Sequence, residues 1–279
     1  MLEFGKSSYN CLIEAFHRAE KIANNPEAVL EFKEALESNA FKRRNIKAEG
    51  IYTQSGILAY ELLARPNNGT RSFSIGNLSK ISHGLDIAKE FDALTCSNAL
   101  KIAKEIPLPT PITLNISVDA ALSEEFWAYM RVKLEQFEPE DIIFEILEND
   151  VNRNADITHL KEMRALGYRF ALDDLSIGAD HENRLHAFGD LVNFIKIDGP
   201  FVRAGLGDEN TEFTQGQFNE TIKHLQSEYP DCTLIAERVH NREEAQYLFD
   251  IGFSGVQGWD LKPEDFIAKP HAEEILLIN

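Results

Sequence analysis

Six short apolar runs, each ending on a group able to bind a metal ion or move a proton, constrain this chain more than any other feature. They read ITLN to Asn115, IIFE to Glu145, FALDD to Asp173 and Asp174, FIK to Lys196, LIAE to Glu237 and GVQ to Gln257. Between most of them lies a stretch long enough for a helix, often with apolar residues at helical spacing. Strands alternating with helices imply an α/β fold with a mainly parallel sheet. In a (β/α)8 barrel the C-terminal ends of the strands converge on one face, and that face holds the active site. Polar groups spread from Asn115 to Gln257 would then meet in one pocket.

Upstream, IKAEGIYTQ and GILAYELLAR read as two strands joined at Ser55-Gly56, so one strand is expected to run antiparallel. A helical region is expected over about 76–104, and the prolines of PLPTP mark a loop before the strand ITLNIS. Ser123 and an acidic first turn open the helix SEEFWAYMRVKLEQF. Later units repeat the scheme, with strands 141–146, 169–173, 193–198, 232–237 and 254–258. Helices are expected at 155–167, before 190, near 212–228 and at 241–251, with Gly167 and Gly252 just past two helix ends. The expected architecture is a TIM-like (β/α)8 barrel over 46–279, with one antiparallel strand and an N-terminal helical extension over 1–45. In that extension Leu12, Phe16, Ala19, Ile22 and Ala23 make one helical stripe. Asn25-Pro26 then starts a second helix carrying Val29, Phe32 and Leu36. The pair either packs on the barrel or presents a contact for a regulatory protein or a second copy.

At 43% apolar and 10% aromatic residues the chain is of globular type. Its net charge of −18 argues against a DNA, RNA or anionic-membrane surface, which needs clustered Lys and Arg. A small phosphate ligand remains compatible if bound cations reverse the local sign. No run approaches the roughly 18 apolar residues of a membrane span, and the first residues lack a secretory pattern, so the cytoplasm is expected. Cys11, Cys96 and Cys232 are far apart with no CxxC pair, which reads as reduced thiols.

Glu61, Glu145, Asp173, Asp174 and Glu237 would bring five carboxylates together, with Asn115 adding a carbonyl. Such a group repels itself unless protons or a divalent cation intervene. Oxygen-only ligation suits Mg²⁺ or Mn²⁺. Adjacent Asp173 and Asp174 would let one carboxylate bridge two ions, the arrangement used for in-line attack on phosphodiesters. Lys196, flanked by apolar residues, should point into the barrel mouth. Asp174 taken alone has a competing reading as a helix N-cap. His181 and His186 stand five apart and do not share a helix face, so HENRLH is no zinc-protease motif.

At these residues the chain resembles the EAL-domain family, phosphodiesterases that hydrolyse the bacterial second messenger cyclic-di-GMP. The name motif stands here as AYELLAR, with Leu62 where alanine is usual and Arg65 at the expected offset from Glu61. NIS, FEILE, LDD, FIKID, AERV and VQG follow in family order. The resemblance implies that Glu61, Asn115, Glu145 and Asp173 bind a first metal, and that Asp173, Asp174 and Glu237 serve a second. It further implies that Lys196 orients a hydroxide formed between the ions and that Glu237 serves as ligand or general base. Arg65, Leu62 and Gln257 would meet the substrate, and the product would be linear pGpG.

Four departures bear on activity. The family's DDFGTGYSS reads DDLSIGADHEN, placing Ser176 where a glycine is usual. Leu147 replaces threonine, AERVH carries Arg238 for glycine and His240 for a second glutamate, and GWDLKP is one residue short. None removes an implied ligand, and changes of this kind typically cost roughly 10–100-fold. Alongside the enzyme stand two other readings: a weak or inactive receptor of the nucleotide, and a protein-interaction module.

Overall fold

β-Branched and aromatic residues in the apolar runs favour strands, and here the strands close upon themselves. The computed structural model describes residues 2, 6–20, 26–41, 45–106, 111–148 and 151–266. Its strands are β1 (Ile46–Thr53), β2 (Gly56–Ala64), β3 (Ile112–Ile116), β4 (Ile142–Ile146), β5 (Arg169–Leu175), β6 (Phe194–Ile197), β7 (Thr233–Ala236) and β8 (Gly255–Gln257). They form a closed barrel in chain order. β1 runs antiparallel to both neighbours, setting Glu49 opposite Glu61 and Ile51 opposite Gln257. All other pairings are parallel. Closure leaves no unpaired edge.

Around the barrel lie α1 (Ser8–Ala19), α2 (Pro26–Glu37), α3 (Ile75–Gly84), α4 (Ala88–Glu105), α5 (Val118–Ala121) and α6 (Glu124–Leu134). They continue as α7 (Thr158–Ala165), α8 (Ala179–Phe188), α9 (Gly199–Gly205), α10 (Gln215–Glu228) and α11 (Arg242–Asp250). Ser123 caps α6 by accepting the Phe126 N–H at 3.2 Å. Gly167 and Gly252 both take φ of 102°, the left-handed helix ending that glycine allows. The helical region expected over about 76–104 consists of two helices, α3 and α4, separated where Asp86 turns to φ 57°. The expected Asn25 cap, with Ile22, Ala23 and residues 107–110 of the proline loop, lies outside the described residues.

The two-residue period of a strand sets the site above an apolar floor. Ile51, Ala59, Ile143, Ala171, Phe194 and Ile235 pack together as one buried cluster inside the barrel. Two residues after five of these come Glu61, Glu145, Asp173, Lys196 and Glu237, on the same face and nearer the mouth. The alternate residues, among them Leu62, Phe144, Phe170 and Ile195, face outward into the barrel–helix core. A second apolar cluster joins Leu12, Phe16, Phe32 and Phe41 of the N-terminal segment to Phe91 and Leu94 of α4.

Candidate active site

Lys196 sits at the centre of the barrel mouth, 1% exposed. Its Nζ donates to Glu145 Oε2 at 2.9 Å and to Glu61 Oε2 at 3.4 Å. Asp173 Oδ1 and Glu237 Oε1 each lie 2.8 Å from it. The Asp173 contact is an ion pair, and Oδ1 has no other partner among the described residues. Glu61 is fixed from both sides, accepting from Asn115 Nδ2 at 2.7 Å and from Gln257 Nε2 at 2.5 Å.

One lysine cannot neutralise this many carboxylates in a desolvated place. Burial pushes Glu237 up to about 8 and Asp173 up to about 7 despite the neighbouring Lys196. Burial, with Asp173 alongside, brings Asp174 to about 6. Glu145 rises well above the usual carboxylate range through burial and the facing Glu61 charge. Glu61 goes the other way: burial would raise it, but Lys196, Asn115 and Gln257 together hold it low. Four carboxylates against the Lys196 ammonium raise that lysine, although burial alone would lower it.

Consecutive strand residues point to opposite faces, yet Asp173 and Asp174 both address the mouth. The β5–β6 register breaks between Leu172 and Leu175, and Asp174 takes φ 48°. This bulge re-aims the second carboxylate. Asp174 is not an N-cap, because α8 begins at Ala179 behind Gly178. The loop that follows is held by Ser176 Oγ against His181 Nε2 at 3.0 Å. Arg184, 1% exposed, donates to the carbonyls of Ile146 at 2.8 Å and Asp173 at 2.7 Å, joining the ends of β4 and β5.

The donor set fits a hard divalent cation. Glu145 Oε1 and Asp173 Oδ1 are buried without a hydrogen bond. Oxygens of Glu148, Asp173 and Asp174 lie within 4.8 Å of one another. All are oxygens, the ligands Mg²⁺ and Mn²⁺ favour. Glu148 was not among the residues singled out from sequence. It stands in FEILE three positions after Glu145, past the end of β4, where alternation assigns no direction.

Two clefts flank Glu61. One, of about 460 Å³, runs from Asn115, Asp173, Asp174 and Glu148 to Asp92 and His83. The other, of about 540 Å³, holds Arg65, Glu237, Arg238, His240, Gln257 and Trp259. Arg65 donates to the Ala64 carbonyl at 3.0 Å. Leu62 lies on the opposite face of β2 from Glu61, buried in the core while edging the first cleft.

The sequence profile of the EAL domain matches residues 31–264. The cyclic di-GMP phosphodiesterase PdeB of Shewanella oneidensis is 28% identical over 154 residues, 53% of this chain and 17% of that protein. The probable cyclic di-GMP phosphodiesterase PdeA of Escherichia coli is 27% identical over 123 residues, 43% of this chain and 16% of that protein. The matched segments thus span about a sixth of the length of these relatives. Among solved structures, the EAL enzyme Bd1971 with cAMP and cyclic-di-GMP bound superposes with TM-score 0.67 at 22% identity, covering 86% of this chain and 68% of that one. The FimX EAL domain of Pseudomonas aeruginosa bound to c-di-GMP gives 0.63 at 21% identity, covering 84% and 95%. These superpositions carry the fold.

Proposed function

Because this chain belongs to the EAL-domain family, we propose that it is a divalent-cation-dependent phosphodiesterase that opens cyclic-di-GMP to linear pGpG. The observation that carries the reading is the ring of carboxylates about Lys196, set between two clefts that share Glu61. A cyclic dinucleotide has two bases joined through two phosphodiesters, so a two-lobed opening around an acidic centre suits it. Oxygens of Glu61, Asn115, Glu145 and Asp173, and of Asp173, Asp174, Glu148 and Glu237, would hold the cations, which supply Lewis-acid activation of water and phosphate. Lys196 stays charged and faces the charge that grows on the phosphoryl oxygens. In its ionised form Glu237, 2.8 Å from Lys196 Nζ, accepts the proton of the attacking water. A P–O bond forms to that water as the bond to the 3′ oxygen breaks, and the departing 3′ oxyanion takes a proton from solvent, leaving a 5′ phosphate and a 3′ hydroxyl. Arg65 forks onto a phosphate oxygen, and Gln257 steadies Glu61.

The helical segment over 1–45 is proposed as the place where a partner or second copy bears on the site. Its support is α4, whose Phe91 and Leu94 join the N-terminal core while Asp92, Thr95 and Cys96 line the first cleft. Glu61→Ala tests the enzymatic reading, since it removes the acceptor that Asn115 and Gln257 share. Turnover should fall by at least about 100-fold, with cation affinity, as for losses around a metal site. Wild-type turnover in this variant would contradict the assignment of Glu61.

A further inference from the structure

Among the described residues, two of the four non-glycine residues with positive φ border the site, Asp174 at 48° and Arg238 at 52°. Aspartate tolerates that region; a long side chain with a full Cβ gains nothing from it. Strain of this kind persists where the surroundings enforce it, and it clusters at sites that bind. Here the enforcement is visible. Val239 N donates to the Gln257 carbonyl at 3.0 Å, and a Cβ on Gly258 would meet Val239 O at 1.8 Å, so the turn after Glu237 is clamped against β8. On its other side Glu237 N donates to Ile197 O at 3.2 Å.

The Arg238 side chain has a fitted seat. A Cβ on Gly199 would fall 2.2 Å from Arg238 Cδ and 2.6 Å from its Nε, so the missing side chain there makes room for the arginine stem. Arg238 is exposed, and it borders the second cleft together with Arg65 and Gln257. The acids near it are Glu237, Glu61, Glu49 and Asp260 around the cleft and Asp198, whose burial-raised carboxyl the Arg238 charge opposes. Backbone stability alone favours glycine at 238, yet an arginine stands there, its stem against Gly199 and its side chain among those that line the second cleft.

We propose that Arg238 is a second phosphate-binding arginine, acting with Arg65 across the cleft beside Gln257 to hold the anionic backbone of a cyclic dinucleotide. The inference rests on the function proposed above and adds to it a further substrate contact. The guanidinium presents parallel N–H donors that match two oxygens of one phosphate. In a chain of net charge −18, a cation placed here offsets the repulsion an anionic ligand would meet.

Calorimetric titration of cyclic-di-GMP with Ca²⁺ present tests this, comparing wild type, Arg238→Gly and Arg238→Lys over a range of salt. In low salt Arg238→Gly should bind about tenfold more weakly, the loss expected for a charge-assisted hydrogen bond. The gap should narrow toward molar salt as charges are screened, and Arg238→Lys should recover part of the affinity. The melting temperature of Arg238→Gly should not fall, because glycine relieves the positive φ. Equal affinity of Arg238→Gly and wild type at low salt would overturn the inference while leaving the proposed function in place. Weaker binding accompanied by a lower melting temperature and no recovery by lysine would overturn it by making the residue structural. Absence of binding by the wild type would overturn both.

Discussion

Asp92 shows most simply what burial does to an acid in this protein. It is 4% exposed on α4 and accepts from Ser117 N at 2.8 Å and Ser117 Oγ at 2.5 Å. Burial nevertheless raises it to about 6, the Ser117 bonds offsetting only part of the cost. The folded protein therefore holds this proton more tightly than the unfolded chain does. Its contribution to stability is fully present below about pH 4, is lost as pH rises through about 6, and is flat above. The loss comes to about 3 kcal/mol at most. Asp92→Asn keeps an acceptor for Ser117 and cannot ionise. Cation-free Asp92→Asn should then be more stable than wild type by roughly 1–3 kcal/mol at pH 8 and equal to it near pH 4, read by denaturant unfolding. An equal difference at both pH values would contradict this account. At this scale the strand-end groups were legible, because Glu61, Glu145, Asp173 and Lys196 keep the period of two above the apolar floor. Asp174 needed a bulge that no residue pattern announces, and Glu148 lies past its strand. The burial of Arg184 and the Ser176–His181 contact were hidden, since both depend on how the altered loop folds.

Helices, unlike strands, were legible in proportion to their length. Strands bounded by glycine, proline or acidic turns were read nearly to the residue, whereas α5 and α9, with four and seven residues, are too short to display helical periodicity. The division of the 76–104 region escaped for a different reason: Asp86 carries the turn that glycine usually carries. The N-terminal stripe was read as two helices, and the residues that cover it come from α4, which only the fold brings near. Phe32, fully buried, stacks on Phe16 at 5.4 Å and meets Phe91 at 5.8 Å. Phe32→Ala should cost about 3–5 kcal/mol. Because Phe91 and Leu94 belong to the same cluster, that loss should shift one cooperative unfolding transition to lower denaturant. Two separated transitions would show that the helical segment unfolds by itself.

For the molecule as a whole, alternation along the chain implied the closed barrel, and the order of polar strand ends implied one site. The repulsion among the carboxylates was legible in sequence, whereas the fourfold contact of Lys196 with Glu61, Glu145, Asp173 and Glu237 was not, because it depends on how the strand ends converge. The altered loop after Asp174 leaves the acids together, with Arg184 tying the carbonyl behind Asp173. The most direct measurement is cyclic-di-GMP turnover by the purified protein with Mg²⁺ or Mn²⁺, before and after EDTA, with products separated by chromatography. The expected result is conversion to pGpG that EDTA abolishes and added cation restores. Nucleotide that binds but is never cleaved, or cleavage that EDTA leaves untouched, would contradict it.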